Sequence, residues 1–311
     1  MVPFFSARDV AAAVPPKAAY AAVREAFVAH ALGEWTMQPK LYVTNYPAGD
    51  FRAMPALGGG HALLKWVTSF PGNPLLGLPT VTGLVVLSDA GTGVVEAILD
   101  AATVTALRTG AAAVIAADAL GRRDSETAAV IGAGVNGTAA ARTFVALGRS
   151  VSIWDVERAR AEAAAAELGA EVATSQVEAL AADLLVTVTP GREILLDEGA
   201  LRPGQHVSLM GADGPGKAEI AIAEIARARV FCDEWEQASH GGELTAAVEA
   251  GAIERGDVTE LGAVLVGSAT GRTTGEEITV FDSTGLAIQD LAIAIVAYER
   301  ADELDLVRID L

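Results

Sequence analysis

The chain reads as an α/β protein: a Rossmann-type doubly wound parallel sheet, plus an N-terminal α+β domain built on a mixed sheet. Three observations predict this. The run Val130-Ile131-Gly132-Ala133-Gly134-Val135-Asn136-Gly137 places a GxGxxG pattern in the middle of the chain. From Thr127 onward, strand-length apolar runs alternate with helical segments, the pattern of a parallel sheet. Before it, five β-patterned runs are separated by short turns, which implies an antiparallel or mixed sheet.

In the first half, Ser6-Ala7-Arg8-Asp9 carries a capping residue with an acid three positions on, so a short helix starts there and stops before Pro15-Pro16. Ala19, Val23, Ala26 and Phe27 recur at helical spacing behind those prolines, which predicts a second helix to about His30. Strands follow at Lys40 to Asn45, Phe51 to Ala56, Ala62 to Thr68, Thr80 to Ser88 and Val94 to Asp100, divided by turns such as Pro47-Ala48-Gly49-Asp50. An alanine-rich helix from Thr103 to Leu120 leads into the second half. There, strands are expected at 127–131, 150–154, 184–188, 206–210, 229–232 and 278–281, and a last apolar helix from Ser283 to about Ala301. The expected division is a substrate-binding and dimerisation domain over 1–118, a dinucleotide-binding domain over 119–290, and a segment 291–311 that returns to the first.

Composition narrows the function. The 311 residues are 51% hydrophobic, enough for two cores. The net charge of −18, from 40 acidic against 22 basic residues, argues against a nucleic-acid partner. The apolar stretches are broken by Gly, Pro, Asp or Arg, so no membrane span is expected, and Met1 to Asp9 lacks the layout of a signal peptide. A cytoplasmic protein follows as the expectation. The single cysteine, Cys232, reads as a buried thiol, and the four histidines, His30, His61, His206 and His240, are scattered. No metal site is expected, because no Cys or His pair stands at ligand spacing. Lysine is scarce: Lys17, Lys40, Lys65 and Lys217 are all there are, so one on an apolar segment invites a functional question.

The glycine-rich run has a physical meaning. Gly132 and Gly134 let the backbone turn tightly against a pyrophosphate, Gly137 lets helix pack on strand, and the helix N-terminus supplies N–H groups. Asp155 closes the next strand as an acceptor for ribose hydroxyls, which favours NAD; Arg158, three residues on, keeps NADP possible. Lys65, within Ala62-Leu63-Leu64-Lys65-Trp66-Val67, is either a buried lysine with a depressed pKa or a strand-edge lysine reaching for water. Arg52 alternates with apolar residues on the preceding strand, and a hairpin would bring it beside Lys65 to bind a carboxylate; the alternative is a solvated face paired with Asp50. Asp213 follows a strand of the second half and either faces the nicotinamide or organises its glycine-rich turn. Arg108 lies on the joining helix and reads as a phosphate or carboxylate ligand, or as a solvent-facing arginine.

Together these residues resemble the ornithine cyclodeaminase and mu-crystallin family, and within it the archaeal-type alanine dehydrogenase branch, over nearly the full length. The resemblance is carried by Gly49 to Ala56, Leu64-Lys65-Trp66-Val67, Phe70 to Pro74, Gly77 to Val81, Thr105 to Gly110, Asp213 to Lys217 and Phe281 to Asp290. It implies a homodimer formed through the N-terminal sheet, a Rossmann domain that binds NAD, and an active site in the cleft between domains. It also implies that Arg52 and Lys65 contact a substrate carboxylate, that Lys65 handles protons, and that Asp213 is the acid at the reaction centre. Thr80, Arg108, Val135, Asn136, Asp155, Thr189 and Ser283 match cofactor-contacting positions, with Arg108 also near the substrate.

Two departures bear on the reaction. Cyclodeaminases carry an arginine about eleven positions before Arg52, where this chain has Leu41 beside Lys40, and an acid where it has Arg52. Arginine there suits a short monoamino acid or oxo acid rather than a diamine. The expected activity is therefore NAD-dependent oxidative deamination of a small L-amino acid such as L-alanine. Ornithine cyclodeamination, cyclic imine reduction and a non-enzymatic binding role, for which mu-crystallin is the precedent, are the alternatives.

Overall fold

A computed structural model describes every residue except Arg192, Asp213 and Pro215. In chain order the elements are β1 (Val2–Phe5), α1 (Ala7–Ala13), α2 (Pro16–Ala31), β2 (Thr36–Met37), β3 (Leu41–Asn45), β4 (Gly49–Gly58), β5 (His61–Ser69), β6 (Val81–Asp89), β7 (Val95–Asp100) and α3 (Ala101–Leu120). Then come β8 (Ala128–Ile131), α4 (Val135–Ala146), β9 (Ser152–Trp154), α5 (Arg158–Leu168), β10 (Glu171–Val172), α6 (Gln176–Leu180), β11 (Leu184–Thr187) and β12 (His206–Leu209). The chain finishes with α7 (Ile222–Arg227), β13 (Arg229–Cys232), α8 (Trp235–Gly241), α9 (Thr245–Glu249), β14 (Val258–Glu260), α10 (Leu261–Leu265), β15 (Thr279–Asp282), α11 (Ala287–Glu299) and β16 (Val307–Ile309).

Two compact units result: Met1–Arg108 with Leu286–Leu311, and Thr109–Gly285. The sequence reading placed these divisions at 118 and 290; they fall after Arg108 and Gly285, the first still within α3. That helix is also long and apolar enough to cross a membrane, against the expectation that no stretch would be, but 72% of the relevant window is buried inside the protein.

The first unit is a mixed sheet in the order β16-β1-β7-β6-β5-β4-β2, with β3 also paired to β4. Among the described strands of this sheet only β1 and β7 pair in parallel. α1 starts at the predicted cap, where Ser6 and Asp9 bond each other's backbone N–H. α11 lies against β4, β5 and β6 on one face of the sheet and α2 packs on α11; Val23, Phe27, Leu291, Ile293, Leu63, Val85 and Leu87 are all buried. Each such side chain contributes on the order of 1.5–3 kcal/mol. The opposite face is left apolar and open, with Leu57, Leu64, Trp66 and Leu84 all 42–46% exposed.

The second unit is a wholly parallel sheet in the order β10-β9-β8-β11-β12-β15-β13-β14. From β8 the chain winds outward through β9 and β10, then returns to the other side of β8 at β11. That reversal is the topological switch point, where the carboxyl ends of such a sheet open a crevice for ligands. The central strands are buried on both faces, which is why they read as unbroken apolar runs.

Candidate active site

Strand parity assembles the site of the first unit. Asp50, Arg52, Met54 and Ala56 of β4 point to the helix-covered face, as do Leu63, Lys65 and Val67 of β5, and the register sets Arg52 opposite Val67 and Met54 opposite Lys65. Arg52 and Lys65 are therefore diagonal neighbours, as the hairpin argument predicts. Lys65 is 1% exposed, so it does not reach for water. Its Nζ donates to Oδ1 of Asp290 on α11 at 2.9 Å, and Asp290 is itself fully buried. Arg108, at the end of the unit's share of α3, brings Nε to 3.6 Å of the same oxygen.

Burial lowers the Lys65 pKa from 10.5 to about 8, with Asp290 opposing the fall and Arg108 and Arg52 adding to it. About one lysine in ten is then neutral at pH 7. Such a group gives and takes protons near neutrality, which an ordinary lysine does not.

Arg52 is 8% exposed and held by Asp50 at both ends of its fork, Nε to Oδ1 at 2.6 Å and Nη2 to Oδ2 at 3.2 Å, with its guanidinium 5.3 Å from the centre of the Tyr42 ring. The Asp50 pairing weighed from sequence is thus present, but on a buried face rather than a solvated one. Three cations, Arg52, Lys65 and Arg108, stand with two carboxylates, Asp50 and Asp290, on this buried face. Arg108 Nε, Gln289 Nε2 and Asp290 Oδ2 are buried with no hydrogen-bond partner among the described residues. Sequence reasoning missed Asp290. The clue was present: a buried apolar helix carrying one acid requires a cation for it. Thr80 lies between β5 and β6, half-buried, and its carbonyl accepts the Phe70 N–H at 2.8 Å.

In the second unit the residues of the glycine-rich turn come together. Gly132 takes φ +103°, and a side chain there would strike the Val188 carbonyl; one on Gly137 would strike the Gly132 carbonyl. Nothing lies within 4 Å of where a Gly134 side chain would stand, and α4 begins there with no side chain capping its first N–H groups. Val135 at the first turn is 72% exposed. Asn136 follows it in the same turn. Backbone donors open to solvent at a helix N-terminus fit a pyrophosphate. Asp155 braces the turn, accepting the Ala133 N–H at 2.7 Å and the Glu157 N–H at 2.8 Å. Arg158 is paired with Glu162 at 2.7 Å, an exposed ion pair that would have to break for a 2′-phosphate.

Thr189 follows β11 and stands against Gly132. Ser283 is buried, and its hydroxyl donates to Asp233 at 3.1 Å. Asp233 also accepts from Thr284 and from the Gly285 N–H, so residues 283–285 are held out of the helix and α11 begins at Ala287 rather than at the expected Ser283. Asp213 lies outside the described residues. Cys232 is buried, and burial pushes its thiol pKa well up, which makes it inert.

A parallel sheet with this switch point and this glycine turn defines a Rossmann-type dinucleotide-binding unit, here joined to a mixed-sheet unit that carries a buried lysine. The chain belongs to the ornithine cyclodeaminase/mu-crystallin family, whose model matches residues 4–305. It is 44% identical to the alanine dehydrogenase of Archaeoglobus fulgidus over 291 residues, covering 90% of this chain and 89% of that one. A solved archaeal alanine dehydrogenase dimer with bound NAD superposes with a TM-score of 0.93, at 39% identity and 99% coverage of both chains. The Thermococcus litoralis Δ1-pyrroline-2-carboxylate reductase, solved with NADH and L-proline, gives a TM-score of 0.91 at 28% identity, covering 97% of this chain and 98% of that one.

Proposed function

We propose that the protein is an NAD-dependent amino acid dehydrogenase that oxidises L-alanine, or a similarly small L-amino acid, to the oxo acid and ammonia, reversibly. The observation that carries this is the buried Lys65–Asp290 pair flanked by Arg52 and Arg108. It is supported by the likeness to alanine dehydrogenases. The substrate carboxylate is held by Lys65, Arg52 and Arg108. Arginine at position 52 suits the carboxylate of a short monoamino acid or oxo acid, which favours a monoamino acid over a diamine.

Gly132, Gly134, Val135, Asn136, Gly137 and Asp155 hold the dinucleotide, with Thr80, Thr189, Ser283 and Arg108 as further contacts. When bound, NAD supplies the hydride acceptor for the substrate Cα. The chain's own part is to move protons. Neutral Lys65 Nζ takes a proton from the water that adds to the iminium carbon, and the ammonium form returns it to the departing amine, with Asp213 as a second base. In the amination direction Lys65 acts as the acid.

The open apolar face of β4, β5 and β6 is read as the homodimer surface, since Leu57, Leu64, Trp66 and Leu84 together form a patch that a lone subunit would leave wet. A second reading, reduction of a cyclic imine, is favoured by the likeness to the pyrroline carboxylate reductase. Purified protein assayed with alanine and NAD, and with pyruvate, ammonia and NADH, tests the first reading by NADH absorbance. Turnover of pyrroline or piperideine carboxylates without added ammonia, and no turnover of any small amino acid, would replace it with the second. Cofactor binding with no turnover of either class would leave a binding protein.

A further inference from the structure

Glu219 is fully buried in the second unit, and the exits of two strands converge on its carboxylate. Oε1 accepts the Thr189 N–H at 2.7 Å; Oε2 accepts the Thr187 hydroxyl at 2.7 Å and the Gly211 N–H at 3.2 Å. Thr187 ends β11, and Gly211 lies two residues past β12. One side chain thus ties together the carboxyl ends of two neighbouring parallel strands, where this sheet type receives its ligand. The tie lies at the glycine-rich turn itself, since the Thr189 methyl would stand 3.6 Å from a side chain on Gly132.

Three donors on one buried side chain call for a carboxylate, because an amide would turn a donor toward one of them. Burial raises the Glu219 carboxyl pKa, and the bonds from Thr189, Thr187 and Gly211 oppose the rise. Glu243, 1% exposed, receives the Glu219 backbone N–H on its two oxygens at 3.1 and 2.8 Å. Burial, with repulsion from Glu219 and Asp282, pushes the Glu243 carboxyl up to about 9, so it stays neutral near pH 7.

We propose that Glu219 is a positioning residue for the dinucleotide, fixing the Thr187–Thr189 and Gly211 backbone so that cofactor affinity depends on its carboxylate. This rests on the NAD reading above. The test is NADH titration by fluorescence, with thermal unfolding alongside, for wild type, Glu219→Gln and Thr187→Val. The latter removes one of the three donors without changing side-chain volume. Folded Glu219→Gln should bind NADH about tenfold or more weakly, and Thr187→Val about threefold. The KM for NAD should rise more than the KM for the amino acid, a split that a general loss of stability would not produce.

A folded Glu219→Gln with wild-type NADH affinity overturns the inference while leaving the NAD reading intact. If Glu219→Gln does not fold, wild-type affinity in Thr187→Val overturns it instead. A wild-type protein that binds no NADH overturns both.

Discussion

Asp290→Asn isolates the group that keeps the Lys65 ammonium charged. In the native protein the Lys65 pKa is about 8, lowered by burial and by Arg108 and Arg52 and supported by Asp290 at 2.9 Å. The amide removes the negative charge but keeps the size. A full charge pair near this separation is worth on the order of 4 kcal/mol at an effective dielectric of about 20, or about three pKa units. Water entering the site recovers part of that, so a fall of at least one unit, to below about 7, is expected. The acidic limb of the pH profile of kcat/KM for amino acid oxidation, where the required neutral lysine becomes protonated, reports it. That limb should move from near 8 to below neutrality, with faster turnover at acidic pH relative to the maximum. Breaking one side of a buried pair also costs roughly 3–5 kcal/mol of stability, so folding is checked by urea melts. A folded Asp290→Asn whose limb stays in place would show that Lys65 is not the group titrating in catalysis.

Three further outcomes are expected. Gly137→Ala drives a methyl into the Gly132 carbonyl, so NADH affinity should fall by about a hundredfold or more, measured by titration; retained affinity would remove the glycine turn from the binding site. His206 is fully buried between Thr279 and Ser208, and burial lowers its pKa from 6.5 to about 3. The unfolded chain therefore takes the proton first, and its contribution to stability is complete above pH 6.5 and lost as the pH falls, by about 3 kcal/mol at pH 4.5. Urea melts at both pH values should show a shallower acid loss in His206→Gln, and an equal loss would contradict the assignment. Trp66→Asp, on the open sheet face, should convert a dimer to monomers in sedimentation velocity; an unchanged mass would place any interface elsewhere.

Much of this was legible in the sequence for local reasons. The period of two along Asp50 to Ala56 and along Leu63 to Val67 sets Arg52 and Lys65 on one face before any coordinates are known. The glycine turn carries its own geometry in three residues. What escaped depends on contacts distant in sequence. Asp290 lies 225 residues from Lys65, and nothing local to either names the other. The start of α11 was misplaced by four residues because Ser283–Gly285, though compatible with a helix, are claimed by Asp233 about fifty positions earlier. The short strands β1 and β16 have too few residues for a period to register, and they exist because β1 pairs with β7 on one side and with the edge strand β16 on the other.

The first unit is discontinuous, and this orders events at the ribosome. All of Thr109–Gly285 leaves the exit tunnel before α11 and β16, so the parallel sheet has its complete set of strands while the mixed sheet still lacks a helix and an edge. Lys65 has no counter-ion until Asp290 arrives, and an ammonium cannot be sealed from water alone. Nascent chains halted before residue 286 should therefore hold a protease-resistant central domain between susceptible N-terminal residues, with maturation of the lysine pocket as the last event of biogenesis.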